Sequence, residues 1–136
     1  FYARARNVQV KLIKLDNNTK YTIKADENHT RTIIQNIIEN AIRYSFDKTE
    51  IAVKVEKKNK NIQFSCTNQG IGIPKNKQHF IFAKFFRAKN AIDKQGDGTG
   101  MGLYITHELV RLNKGKIWFE SIHNQETTFY INFKSF

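Results

Sequence analysis

The feature that most restricts the fold is a run of isoleucines at helical spacing. Ile33, Ile34, Ile37, Ile38, Ala41 and Ile42 recur at intervals of three and four, which places them in one apolar stripe along a helix. The stripe predicts a helix from about Asp26 to about Tyr44. On both sides of it the apolar period drops to two. Val8, Val10 and Leu12 alternate, as do Tyr21 and Ile23, with the polar Asp16-Asn17-Asn18 between them, and this predicts a hairpin. Ile51-Val53-Val55 and Ile62-Phe64-Cys66 follow as strands, split by the charged turn Glu56 to Asn61, and Ile117-Phe119 and Phe129-Ile131-Phe133 close the sheet. Two further helices are expected. One is the aromatic-rich stretch Lys77 to Arg87, and the other begins near Gly100, buries Met101, Ile105, Leu109 and Leu112, and ends at Gly115. Strands grouped beside helices, without strict alternation, point to an α+β chain. It should form a two-layer α/β sandwich whose mixed, mostly antiparallel sheet packs on three helices.

A chain of 136 residues with 40% hydrophobic side chains is large enough for one compact domain, read here as residues 1–136. Phe1 to Arg6 reads as the tail of a helix already under way, so the sequence is expected to continue a longer protein. No apolar run approaches the ~20 residues that span a bilayer, and no signal-peptide pattern opens the sequence. The lone cysteine, Cys66, excludes an internal disulfide and falls in the period-two run with Ile62 and Phe64, as a buried strand thiol would. The net charge of +11 favours anionic ligands. Its lysines are scattered through turns and strand faces (Lys11, Lys20, Lys54, Lys57, Lys58, Lys60) instead of forming a basic arm, so nucleic acid is not the expected partner.

Three short stretches carry chemistry. Asn36, Asn40, Arg43 and Tyr44 share a helix face beside the isoleucine stripe. Asn has no propensity advantage inside a helix, so a ligand-facing row explains two of them one turn apart. A neutral carboxamide oxygen suits Mg²⁺, Arg43 suits phosphate, and Tyr44 suits packing against a base. The stretch Asn68-Gln69-Gly70-Ile71-Gly72-Ile73-Pro74 leaves a strand end, where Asn68 can accept a hydrogen bond from an exocyclic amine and Ile73 can offer an apolar wall. Gly96-Asp97-Gly98-Thr99-Gly100-Met101-Gly102-Leu103 opens into a helix, where backbone N–H groups and the helix dipole favour phosphate. It is neither a Walker loop, since no Gly-Lys-Ser/Thr follows, nor a Rossmann turn.

In this order the motifs resemble the catalytic ATP-binding domain of bacterial sensor histidine kinases, within the wider Bergerat-fold (GHKL) family that includes gyrase-type ATPases. Asn36 to Ser45 matches that family's N box, Asn68 to Pro74 its first glycine box, Phe80 to Arg87 its phenylalanine box, and Gly98 to Leu103 its second glycine box. The closing Lys116 to Ser121 and Thr127-Thr128-Phe129 extend the match. The resemblance implies ATP and Mg²⁺ as ligands, with Asn40 holding the metal and Asn36 and Arg43 completing the catalytic set. It places Tyr44, Asn68, Gly70, Gly72, Ile73, Arg87, Gly98, Thr99, Gly100, Met101, Gly102, Leu103 and Thr128 around the nucleotide, and makes Ala88 to Thr99 the ATP lid. Asn68 departs from the pattern, because the family usually has Asp there to bind the adenine amine. The partners implied are the acceptor-histidine dimerisation domain of the same kinase and a response regulator. The expected fragment is monomeric and cytoplasmic, within a homodimeric parent in the cell membrane.

Chemistry ranks the activities. Gyrase-type ATPases place a glutamate base four residues before the magnesium Asn; that position here is Asn36, which takes no proton at neutral pH. In a kinase the histidine of a partner attacks the γ-phosphorus, and the ATP domain need only position phosphates and neutralise charge. His29, His79, His107 and His123 are the only histidines, and none begins the family's acidic acceptor motif. Histidine kinase catalytic domain is therefore the first reading. A GHKL-type ATPase or a non-catalytic ATP-binding and partner-docking module is the alternative.

Overall fold

The computed structural model describes residues 7–14, 20–83 and 101–136. The isoleucine stripe forms helix α1 (Glu27–Tyr44), capped by Asp26, whose carboxylate accepts from the His29 N–H at 2.9 Å. That bond holds the Asp26 carboxyl below its usual range, since it favours the charged form. A second helix, α2, runs Gly102–Leu112. The aromatic-rich stretch forms a 3₁₀ helix over Lys75–Phe80, and the remainder of that expected helix, Lys84 to Arg87, lies outside the described residues.

Among the described residues five strands make one sheet: β1 (Gln9–Lys14), β2 (Glu50–Lys58), β3 (Asn61–Gln69), β4 (Lys116–Ile122) and β5 (Glu126–Lys134). Their spatial order is β1-β2-β3-β5-β4. Only the β1–β2 pair is parallel; β2–β3, β3–β5 and β4–β5 are antiparallel. The mixed sheet and its helix layer agree with the expected sandwich.

The first hairpin is a correction. β1 pairs in parallel with β2, Val10 opposite Ile51 and Leu12 opposite Val53, while Ile23 makes an isolated bridge to Ser135. The reason lies in the connection. Between β1 and β2 the chain passes through α1, and a helical crossover returns a strand in the parallel sense, whereas a tight turn would have returned it antiparallel.

The core sits between the sheet and the helices. Ile33, Ile37 and Ala41 of α1 meet Ile51, Val53, Phe64, Cys66, Phe129, Ile131 and Phe133. Ile33, Ile37 and Ile51 are completely buried. Burial pushes the Cys66 thiol up to about 12, as a core side chain requires. The buried face of α2 is the second correction. Thr106 and Val110 are its buried residues, whereas Ile105 is 37% exposed and Leu112 60% exposed. Leu103 and Leu109 pack partly against the core. The apolar letters along α2 cover more than one face, and its packing against α1 selects the Thr106–Val110 side.

Candidate nucleotide site

The end of α1 and the loop after β3 are bonded together. Ser45 bridges Gly70, the Phe46 N–H donates to the Gln69 carbonyl at 2.9 Å, and the Ile71 N–H donates to the Tyr44 carbonyl at 3.2 Å. Asn68, which is buried, therefore stands at the end of β3 close to Tyr44. On its other side the loop grips the β4–β5 turn: the Gly70 N–H donates to the Gln125 carbonyl and the Asn124 N–H to the Ile71 carbonyl. Backbone crowding explains the two glycines. A Cβ on Gly70 would lie 2.0 Å from the Tyr44 carbonyl oxygen. Gly72 has φ +65°, and a Cβ there would lie 2.4 Å from the Ile122 carbonyl oxygen. Both residues hold the loop in place before any ligand is considered.

Ile73 is buried, and its N–H donates to Ser121 Oγ at 2.9 Å. Ser121 Oγ in turn lies 2.7 Å from Thr127 Oγ1, and Gln78 Nε2 donates to the carbonyls of Ile73 and Ser121. The sequence reading missed Ser121, Gln78 and Thr127. Ser121 and Thr127 lay within the closing segments that extend the family match, without a role assigned to them, and Gln78 carried no signal beyond its place after the glycine loop.

Thr128 is displaced from its expected place. The burial alternation of β5 puts Thr127 with Phe129, Ile131 and Phe133 on the helix-facing side. Thr128 projects to the outer side, where its hydroxyl lies 2.8 Å from that of Thr67. Thr127 is the residue opposite Asn68 in the register.

On α1, Asn36, Asn40, Arg43 and Tyr44 are all half-buried, beside the fully buried Ile33 and Ile37. Glu39 turns to Gln35, whose Nε2 donates to its carboxylate at 3.1 Å. This leaves Glu39 off the Asn36–Asn40 row. Asn36 Nδ2 donates to Thr106 Oγ1 of α2 at 3.3 Å. α1 and α2 are thus in direct contact near the start of α2.

At that start, Met101 provides no side-chain cap, and a Cβ on Gly102 would meet nothing within 4 Å. A helix start led by glycine, with no described residue crowding Gly102, fits a phosphate-bearing ligand. Among the described residues no three His, Cys, Asp or Glu side chains cluster to hold a metal. A cation here would rest on carboxamide and phosphate oxygens, which is the habit of Mg²⁺. Arg87, Gly98, Thr99 and Gly100, with the lid Ala88 to Thr99, lie outside the described residues.

Phe82 packs edge-on against Phe119 and Phe129, with ring centroids 5.8 and 6.4 Å away, and lies 5.0 Å from His107. This aromatic cluster ties the chain leaving the 3₁₀ helix to α2 and the sheet.

Among the described residues, a five-stranded mixed sheet under two α-helices, with carboxamides on one helix and a glycine start on the other, has the architecture of a nucleotide-binding domain of the Bergerat type. Residues 25–135 match the family described as histidine kinase-, DNA gyrase B- and HSP90-like ATPases, and the chain belongs to that family. It is 34% identical over 113 residues to the signal transduction histidine-protein kinase ArlS of Staphylococcus haemolyticus, covering 83% of this chain and 25% of ArlS. It is 33% identical over 129 residues to the circadian input-output histidine kinase CikA of Synechococcus elongatus, covering 95% of this chain and 17% of CikA. The chain therefore spans a quarter or less of the length of these relatives. Among solved structures, the nucleotide-free catalytic domain of histidine kinase ThkA superposes with a TM-score of 0.79 at 25% identity, covering 97% of this chain and 82% of that one. The mycobacterial sensor histidine kinase MprB gives a TM-score of 0.81 at 21% identity, over 98% of this chain and 86% of that one, a likeness of fold.

Proposed function

We propose that this chain, acting as one catalytic domain, binds ATP with Mg²⁺ and delivers the γ-phosphate to a histidine on the dimerisation domain of its own sensor kinase. The phosphoryl group then passes to a response regulator. Asn40 is the metal ligand in this reading, and Arg43 and the start of α2 hold phosphate. Asn68, Ile73 and Thr127 face adenine, with Tyr44 at its flank. Bound Mg²⁺ supplies charge neutralisation on the phosphate oxygens. The residues orient the nucleotide, and the partner histidine is the nucleophile: its ring nitrogen bonds to the γ-phosphorus as the bond to the ADP oxygen breaks. The parent protein is a membrane-anchored homodimer with this domain on the cytoplasmic side.

One observation carries the choice of kinase over ATPase. The position where a hydrolytic relative keeps its base is Asn36, and its amide donates to Thr106. A carboxamide so engaged neither takes a proton from water nor needs to. The histidine kinase names of the relatives support the same reading.

The test is to mix the chain with a histidine-bearing dimerisation segment and labelled ATP, using Asn40→Ala beside the parent sequence. Acid-labile phosphate on the segment, lost with Asn40→Ala, is expected. Phosphate release to water without transfer would favour the ATPase.

A further inference from the structure

We infer that Thr106 is a positioning residue that fixes which atom of Asn36 faces the nucleotide, and that it couples the metal side of the site to the phosphate side. The inference rests on the magnesium-site reading above and deepens it.

The direction of the bonds is forced by chemistry. Thr106 Oγ1 lies 2.8 Å from the Gly102 carbonyl oxygen, which can only accept, so the threonine proton is spent there. Thr106 Oγ1 can then only accept from Asn36, and the atom facing it must be the Asn36 amide nitrogen, 3.3 Å away. An asparagine side chain is ambiguous by half a turn until its neighbours choose for it. Here the relay from Asn36 through the Thr106 hydroxyl to the Gly102 carbonyl makes the choice. Oδ1 of Asn36 is left as the atom turned away from Thr106. A hard oxygen on the Asn40 row suits a divalent cation or its bound water, whereas an NH₂ group there would repel one.

The relay also touches the first turn of α2. Gly102 is the first residue of that helix, and Thr106, like Val110, is fully buried. Back-bonding from a threonine to the carbonyl four residues earlier pins that turn. Orientation of Asn36 and placement of the α2 start are therefore set by one hydroxyl.

Thr106→Val keeps the shape and removes the hydroxyl, and Thr106→Ser keeps the hydroxyl. Calorimetry with a non-hydrolysable ATP analogue, with and without Mg²⁺, reads the gain in affinity due to the metal, and thermal melts without nucleotide run beside it. Thr106→Val is expected to cut the Mg²⁺-dependent gain about five- to tenfold, the size of one net hydrogen bond, with little change in metal-free affinity. Thr106→Ser should restore it. Asn36→Ala should produce the same loss from a half-buried position, and the double variant should lose no more than either single one. Two results would overturn the inference: an unchanged metal gain in Thr106→Val, or equal losses with and without Mg²⁺ that track the melting temperature. Asn40→Ala separates the two levels. If it abolishes the metal gain while Thr106→Val does not, only the relay is wrong; if it leaves the gain intact, the magnesium assignment falls and the relay with it.

Discussion

Asn68 and Thr127 stand opposite each other across β3 and β5, on the side of the sheet that faces the helices. Thr128, one residue on, faces the other way and meets Thr67. An adenine ring held at Asn68 would have Thr127 beside it. Thr127→Val should therefore weaken ATP-analogue binding by about 1 kcal/mol, whereas Thr128→Val should leave it unchanged. Calorimetry on the two variants decides, and the reverse pattern would return the role to Thr128.

Asn68→Asp should tighten ATP binding about five- to tenfold, because a bond to a carboxylate is stronger than one to a neutral amide. The position is buried, so the same change should lower the melting temperature of the nucleotide-free protein. The gap between melting curves with and without ATP analogue should therefore widen. A weaker dissociation constant would argue against adenine contact here.

Gly70→Ala and Gly72→Ala should each destabilise the fold by about 1–3 kcal/mol even without nucleotide, since a Cβ at either meets backbone. Gly102→Ala should not, because no described residue lies within 4 Å of a Cβ there. Its effect should appear in nucleotide affinity instead. Denaturant melts beside binding isotherms separate the two kinds of glycine.

The Asp26 cap gives the stability a pH dependence of known sign. Its folded carboxyl titrates below the usual value of 3.8, because the His29 N–H bond favours the charged form. A group with a depressed folded pKa stabilises above its unfolded value and loses that contribution as pH falls through the folded one. Asp26→Ala should thus lower the melting temperature near neutral pH and narrow its difference from the parent below about pH 4. A constant difference down to acid pH would show that the cap charge is immaterial.

Much of this was legible before any coordinates. The α1 stripe and its start near Asp26, the strands β2, β3, β4 and β5 and the buried Cys66 all followed from local period and turn chemistry. Other features were not. Thr106 is an ordinary letter in a helix, and only the approach of α1 makes it a partner of Asn36. The family resemblance set Gly70 around the nucleotide, yet the nearest atom to its missing side chain is the Tyr44 carbonyl oxygen. Asn113, which accepts from the Asp26 N–H at 2.8 Å and so ties the end of α2 to the start of α1, carried no signal at all.

The amino-acid order by itself determined which segments are helix and strand and which residue types surround a nucleotide, because periodicity and loop chemistry act over a few neighbours. Tertiary structure decided that β1 lies parallel to β2, that Thr106 and not Ile105 is the buried residue of α2, and that Thr127 and not Thr128 joins Asn68. These depend on register and crossing between distant segments. A shift of one residue in a strand reverses every side chain, and nothing in the local pattern fixes that shift.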